Sequence, residues 1–88
     1  MAEKLKLAIL TPEKAVCLGE SADSLTVPGL QGEFQILPGH TFFLTELGEG
    51  RLTYTSGSDT KSFQISGGFA EVAEDRVTLL AQKIETVA

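Results

Sequence analysis

The sequence predicts an all-β fold, a sandwich or a barrel. Short runs of about four to eight residues alternate apolar and polar side chains, which is the period of a half-buried strand. Clusters of Gly, Pro, Ser and Asp punctuate these runs at intervals of about 8–12 residues, the spacing of a β-sandwich or barrel. The two places where a helix could open, after Thr11-Pro12 and after Gln82, leave too few residues to hold one.

Glu3 to Leu10 opens the series, with Leu5, Leu7 and Ile9 on one face and Lys4, Lys6 and Ala8 on the other. Thr11-Pro12-Glu13-Lys14 breaks it, and a second strand is expected from Lys14 to Leu18. Gly19-Glu20-Ser21 reads as another break, followed by a third strand from Ala22 to Val27 with Leu25 and Val27 on one face.

The stretch from Val27 to Leu47 organises the rest. It holds two Pro-Gly steps, Pro28-Gly29 and Pro38-Gly39. Proline presets the φ of the second residue of a turn and glycine accepts positive φ at the third, so each pair predicts a type II turn. Between them Glu33 to Leu37 alternates, with Phe34 and Ile36 on one face. After the second turn come His40, the only histidine, and the apolar run Phe42-Phe43-Leu44. Successive side chains of a strand point to opposite faces. If Phe43 enters the core, Phe42 and Leu44 face away, and the reverse holds equally. At least one bulky side chain is therefore left on an outer face, where a protein contact would cover it.

Gly48-Glu49-Gly50 reads as a loop. Arg51 to Thr55 alternates, with Leu52 and Tyr54 on one face. Ser56-Gly57-Ser58-Asp59 is a hairpin loop, and Thr60 to Ile65 returns with Phe63 and Ile65 inward. Ser66-Gly67-Gly68 predicts a bulge or sharp corner before a strand from Phe69 to Ala73. Glu74-Asp75-Arg76 is the last tight turn, Val77 to Ala81 the last strand, and Gln82 to Ala88 a polar tail.

The 88 residues suffice for one domain, residues 1–88, able to bury roughly 60% of its unfolded surface. A net charge of −5 argues against a general nucleic-acid binder, whose footprint is basic. The single cysteine, Cys17, allows no internal disulfide and reads as a small apolar filler in mid-strand. The N-terminus alternates charged and apolar residues, unlike a signal peptide, and no apolar run approaches the roughly 20 residues of a membrane-spanning helix.

Catalytic constellations are not apparent. A nucleophile needs an adjacent base, and His40 is the one histidine on offer for Ser66 or Cys17. The acidic run Glu71, Glu74, Asp75 sits at a turn and lacks the Asp-x-Asp-x-Asp-Gly pattern of a calcium loop. Ser66-Gly67-Gly68 lacks the lysine of a phosphate loop. The residues predict no cofactor, no metal and no small-molecule substrate.

Several segments together carry a resemblance: Gly32-Glu33-Phe34, Leu37-Pro38-Gly39-His40, Leu44-Thr45, Ile65-Ser66-Gly67-Gly68-Phe69-Ala70-Glu71-Val72 and Val77-Thr78-Leu79-Leu80-Ala81. In this order, over nearly the whole chain, they resemble the epsilon subunit of F-type ATP synthases. The resemblance implies a two-layer β-sandwich of about ten short strands in two five-stranded sheets. It implies a non-catalytic rotor subunit of the central stalk that clamps the gamma subunit, rests on the c ring and couples proton translocation to ATP synthesis. Such a protein is peripheral to the cytoplasmic face of the bacterial inner membrane, or to the equivalent side of an organelle membrane. Thr11, His40, Thr45 and Ser66 match the family's gamma contacts, Phe42 would add apolar area there, and Gly32 and Glu33 match the loop that faces the c ring. Many members carry Ala-Pro-Leu-Leu after the histidine; here Thr41-Phe42-Phe43-Leu44 restores a backbone donor where they have proline. A C-terminal helical hairpin usually follows in the family. The expectation is a domain without that hairpin, which neither hinders ATP hydrolysis through it nor binds ATP on it.

Two rival readings remain. A lipoyl- or biotinyl-type carrier barrel is also small and acidic and needs a lysine exposed at a hairpin tip; Lys61 follows the Ser56-to-Asp59 turn, although its neighbours do not match that family. A small enzyme working through paired carboxylates would need a spatial pairing that sequence does not display.

Overall fold

The computed structural model describes residues 4–39 and 42–87. Seven strands carry most of them: β1 (Leu5–Leu10), β2 (Ala15–Ala22), β3 (Ser24–Gly29), β4 (Gly32–Ile36), β5 (Phe43–Ser56), β6 (Asp59–Ala73) and β7 (Arg76–Thr86). They form one hydrogen-bonded sheet in the order β2-β1-β7-β6-β5-β3-β4. Only the β1–β7 pair is parallel; the other neighbours are antiparallel. The sheet folds over on itself as a β-sandwich. β2, at one end of the order, comes back against β5. All seven strands send side chains into one apolar cluster, from Leu5, Leu7 and Ile9 through Leu25, Val27 and Ile36 to Val77 and Leu79.

The all-β expectation holds, with one correction. The described residues form seven strands in one continuous sheet rather than about ten in two five-stranded sheets. The difference lies in the glycines. Gly48-Glu49-Gly50 does not end a strand but lies inside β5, where Leu47 pairs with Gly68 and Glu49 with Ser66. From Phe43 opposite Val72 to Ser56 opposite Asp59, β5 and β6 keep one register. Yet the inward parity changes midway. On β5 it passes from Phe43 and Leu47 to Leu52 and Tyr54, and on β6 from Phe63 and Ile65 to Ala70 and Val72. The change falls at Gly67 and Gly68, at φ 71° and 123°, a backbone region that L side chains resist. The predicted corner is therefore real, but it creases a paired ribbon instead of separating two strands.

Three other boundaries move for related reasons. Gly19-Glu20-Ser21 belongs to β2, whose pairing with β1 slips between Leu7 opposite Glu20 and Ile9 opposite Cys17; the expected break is a bulge. Pro28-Gly29 is not a turn but the end of β3, and the chain reverses at Leu30-Gln31 instead. A proline is tolerated there because β3 loses register with β5 between Thr26 and Gly29, where no ladder donor is required. The polar tail after Ala81 continues β7 to Thr86, paired with β6 as far as Phe63.

The remaining turns stand where expected. Pro38-Gly39 turns, with Gly39 at φ 92°. Gly57-Ser58 closes the β5–β6 hairpin with glycine at positive φ in the first position, the II′ pattern. Glu74-Asp75 closes β6–β7 with both residues at positive φ, at 52° and 62°. Thr11 organises the β1–β2 turn: its hydroxyl accepts the N–H of Glu13 at 3.3 Å and of Lys14 at 3.1 Å.

Candidate interaction surface

Phe43, at the start of β5, turns inward and meets Phe34 of β4 edge to face, with ring centroids 5.7 Å apart and planes at 63°. This resolves the apolar run. With Phe43 packed on the core, Phe42 is 64% exposed and Leu44 62% exposed. The same alternation acts on the next two strands. Ala70 and Leu79 fill the core, so Phe69 and Leu80 face out, at 50% and 49% exposure.

Pairing brings these outward side chains together. Leu44 lies opposite Glu71, Phe69 opposite Leu80, and Glu71 opposite Thr78. The parallel β1–β7 pair adds Leu10 beside Leu80 and Ala8 beside Thr78. Leu44, Phe69, Glu71, Thr78 and Leu80 line a shallow depression of about 350 Å³. Covering half-exposed Leu and Phe side chains is worth on the order of 1 kcal/mol each at about 25 cal/mol per Å². An apolar face of this kind on a small sheet fits a protein contact, with Glu71 and Glu46 as its polar rim.

The sequence-predicted site residues fall into three places. Phe42 and Thr45 flank the head of β5, Phe42 exposed and Thr45 half-buried on the side opposite Leu44. Thr11 and Ser66 stand on either side of Lys83: Thr11 shares a depression of about 400 Å³ with it, and Ser66 is its pairing partner on β6. Gly32 and Glu33 begin the edge strand β4, both exposed. His40 lies outside the described residues. Sequence reasoning missed Phe69, Leu80 and Lys83. The first two were within reach, because consecutive Leu79-Leu80 poses the same question as Phe42-Phe43-Leu44.

Elsewhere the chemistry is modest. Among the described residues no group of three or more His, Cys, Asp or Glu is placed to hold a metal ion, and no helix is long and apolar enough to cross a membrane. Cys17 sits half-buried on β2; burial pushes its thiol pKa up, and the charge of Glu20 adds to that. The Lys4 ammonium, 2.5 Å from Asp23, holds that carboxyl below its ordinary value, helped by the N–H of Gly57 at 2.7 Å. Lys61 is exposed but lies within β6 opposite Tyr54, beyond the Gly57-Ser58 loop and not at its tip.

Residues 4–87 match the family described as the β-sandwich domain of the ATP synthase Delta/Epsilon chain. The chain is 49% identical over 85 residues to the ATP synthase epsilon chain of Syntrophobacter fumaroxidans, covering 97% of this chain and 63% of that protein. It is 46% identical over 86 residues to ATP synthase epsilon chain 2 of Syntrophotalea carbinolica, covering 98% and 62%. It thus spans a little over three fifths of the length of these curated relatives. Two solved structures share the fold. A chain in the Euglena gracilis mitochondrial ATP synthase OSCP/F1/c-ring structure superposes with a TM-score of 0.89 at 24% identity, covering 94% of this chain and 53% of that one. A chain in the Tetrahymena thermophila mitochondrial ATP synthase central stalk/c-ring structure gives 0.76 at 20% identity, covering 96% and 69%. Sheet topology, shared fold and the match over nearly every residue lead to one conclusion: the chain belongs to the ATP synthase Delta/Epsilon family, in its β-sandwich domain.

Proposed function

We propose that this chain acts as a central-stalk rotor subunit of an F-type ATP synthase. It binds the gamma subunit and the c ring, helps to couple proton translocation to ATP synthesis, and catalyses nothing itself. It is peripheral to the membrane through the complex, on the cytoplasmic side in a bacterium, and takes no cofactor and no small-molecule substrate. The observation that carries the reading is the outward apolar face of Leu44, Phe69 and Leu80 in a chain of this family. Support comes also from the matching structures, one of which is of a central stalk and c-ring.

The gamma contact is assigned to Thr11, His40, Phe42, Thr45 and Ser66, joined by the Leu44–Phe69–Leu80 face. The c-ring contact is assigned to Gly32 and Glu33 on the edge strand. A contact with an apolar centre and a polar rim suits a stable subunit interface, in which a few buried side chains carry most of the energy. The test is co-purification with gamma followed by cross-linking. In a Cys17→Ser background, single cysteines at positions 42, 45 and 66 are expected to cross-link to gamma, and one at position 33 to the c subunit. A chain that ignores gamma overturns the reading.

A further inference from the structure

Three elements meet at Asp75. It closes the β6–β7 turn, its carbonyl accepts the N–H of Lys6 on β1 at 2.8 Å, and its Oδ1 accepts the N–H of Gly39 at 2.7 Å. Gly39 belongs to the β4–β5 connection, which leads to exposed Phe42 and the head of β5. Asp75 holds φ 62°, a conformation that glycine adopts freely and that strains a residue with a β-carbon. An aspartate thus stands where glycine would relax the turn, and its carboxylate reaches across the fold to another segment. A carboxylate on a backbone N–H is a charge-assisted bond, stronger than a neutral one.

We propose that Asp75 is a positioning residue for the gamma-facing surface. Its carboxylate fixes the Pro38-Gly39 turn, three residues before Phe42 in the chain, against the turn that joins β6 and β7. Asp75 joins those two strands, which bear Phe69 and Leu80. One tether therefore sets the two halves of the surface in register with each other. The proposal rests on the gamma-binding reading and adds a residue to it that makes no partner contact itself.

Strain and tether pull in opposite directions, and a substitution separates them. Asp75→Gly relaxes the turn and removes the tether. The full chain carrying it is expected to melt no lower than wild type, while the Gly39 amide exchanges about fivefold faster and affinity for purified gamma falls about fivefold. Asp75→Asn keeps an acceptor oxygen and is expected to restore most of both. Unchanged Gly39 exchange in Asp75→Gly would overturn the tether. Faster exchange with unchanged gamma affinity would overturn its positioning role. A wild-type chain that does not bind gamma would overturn the reading beneath, and the positioning role with it, whatever Gly39 exchange reports.

Discussion

No space is left for a β-carbon between Gly68 of β6 and the carbonyl oxygen of Leu80 on β7. With φ at 123° as well, Gly68 is fixed on two counts. Gly68→Ala is expected to cost about 3 kcal/mol or more in urea unfolding. Gly57→Ala, at φ 65° with open space around it, should cost only about 1–2 kcal/mol. Equal losses would mean that the close approach at the crease is unimportant.

The two outcomes of the Phe42-Phe43-Leu44 run separate cleanly by mutation. Phe43→Ala removes the ring that meets Phe34 and should lower stability by about 2–3 kcal/mol. Leu44→Ala and Phe42→Ala touch exposed side chains and should leave stability within about 0.5 kcal/mol. Affinity for gamma should respond in the opposite sense, with Leu44→Ala and Phe42→Ala each weakening it by more than about 1 kcal/mol. Calorimetry with unchanged gamma binding in both would count against the assigned surface.

Acid should loosen the corner where Lys4, Asp23 and Gly57 meet. The Asp23 pKa is lower folded than unfolded, first through the hydrogen bond from Lys4 and then through that from Gly57. Its contribution to stability is therefore complete above the ordinary carboxyl value of about 3.9 and is lost as pH falls through the lower folded value. Melting temperatures of wild type and Asp23→Asn, followed from neutral pH downward, should differ at neutrality and converge in acid. Parallel curves would exclude this linkage.

The Cys17 thiol should be sluggish. Its pKa is raised by burial and then by Glu20, so the reactive thiolate is scarcer at neutral pH than in a free cysteine. Alkylation by iodoacetamide at pH 8 should run several-fold slower than for a free thiol, and Glu20→Gln should quicken it. No change in Glu20→Gln would remove that carboxylate from the account.

Much of this was legible in the sequence because strand alternation is strict. Leu5, Leu7 and Ile9, Leu25 and Val27, Leu52 and Tyr54, and Phe63 and Ile65 all face inward as their spacing predicts. Glycines misled. Gly19, Gly48 and Gly50 read locally as punctuation, but a glycine inside a paired strand can mark a bulge or a close approach instead. Gly50, for example, leaves room for the Pro28 ring, which a β-carbon would meet at 2.9 Å. The candidate surface was half legible. Consecutive bulky residues announced that something must face outward. That Leu44, Phe69 and Leu80 would share one face depended on β5, β6 and β7 staying paired past Gly48-Glu49-Gly50 and Gly67-Gly68, which read locally as interruptions.

The crease at Gly67-Gly68 has a mechanical meaning. In a sandwich of two separate sheets, the leaves are held by interdigitating side chains and by the loops that cross between them. Here β5 and β6 cross the fold line as unbroken covalent backbone. A load leaning on the outer apolar face therefore passes to the opposite leaf through two continuous, hydrogen-bonded strands as well as through side-chain packing.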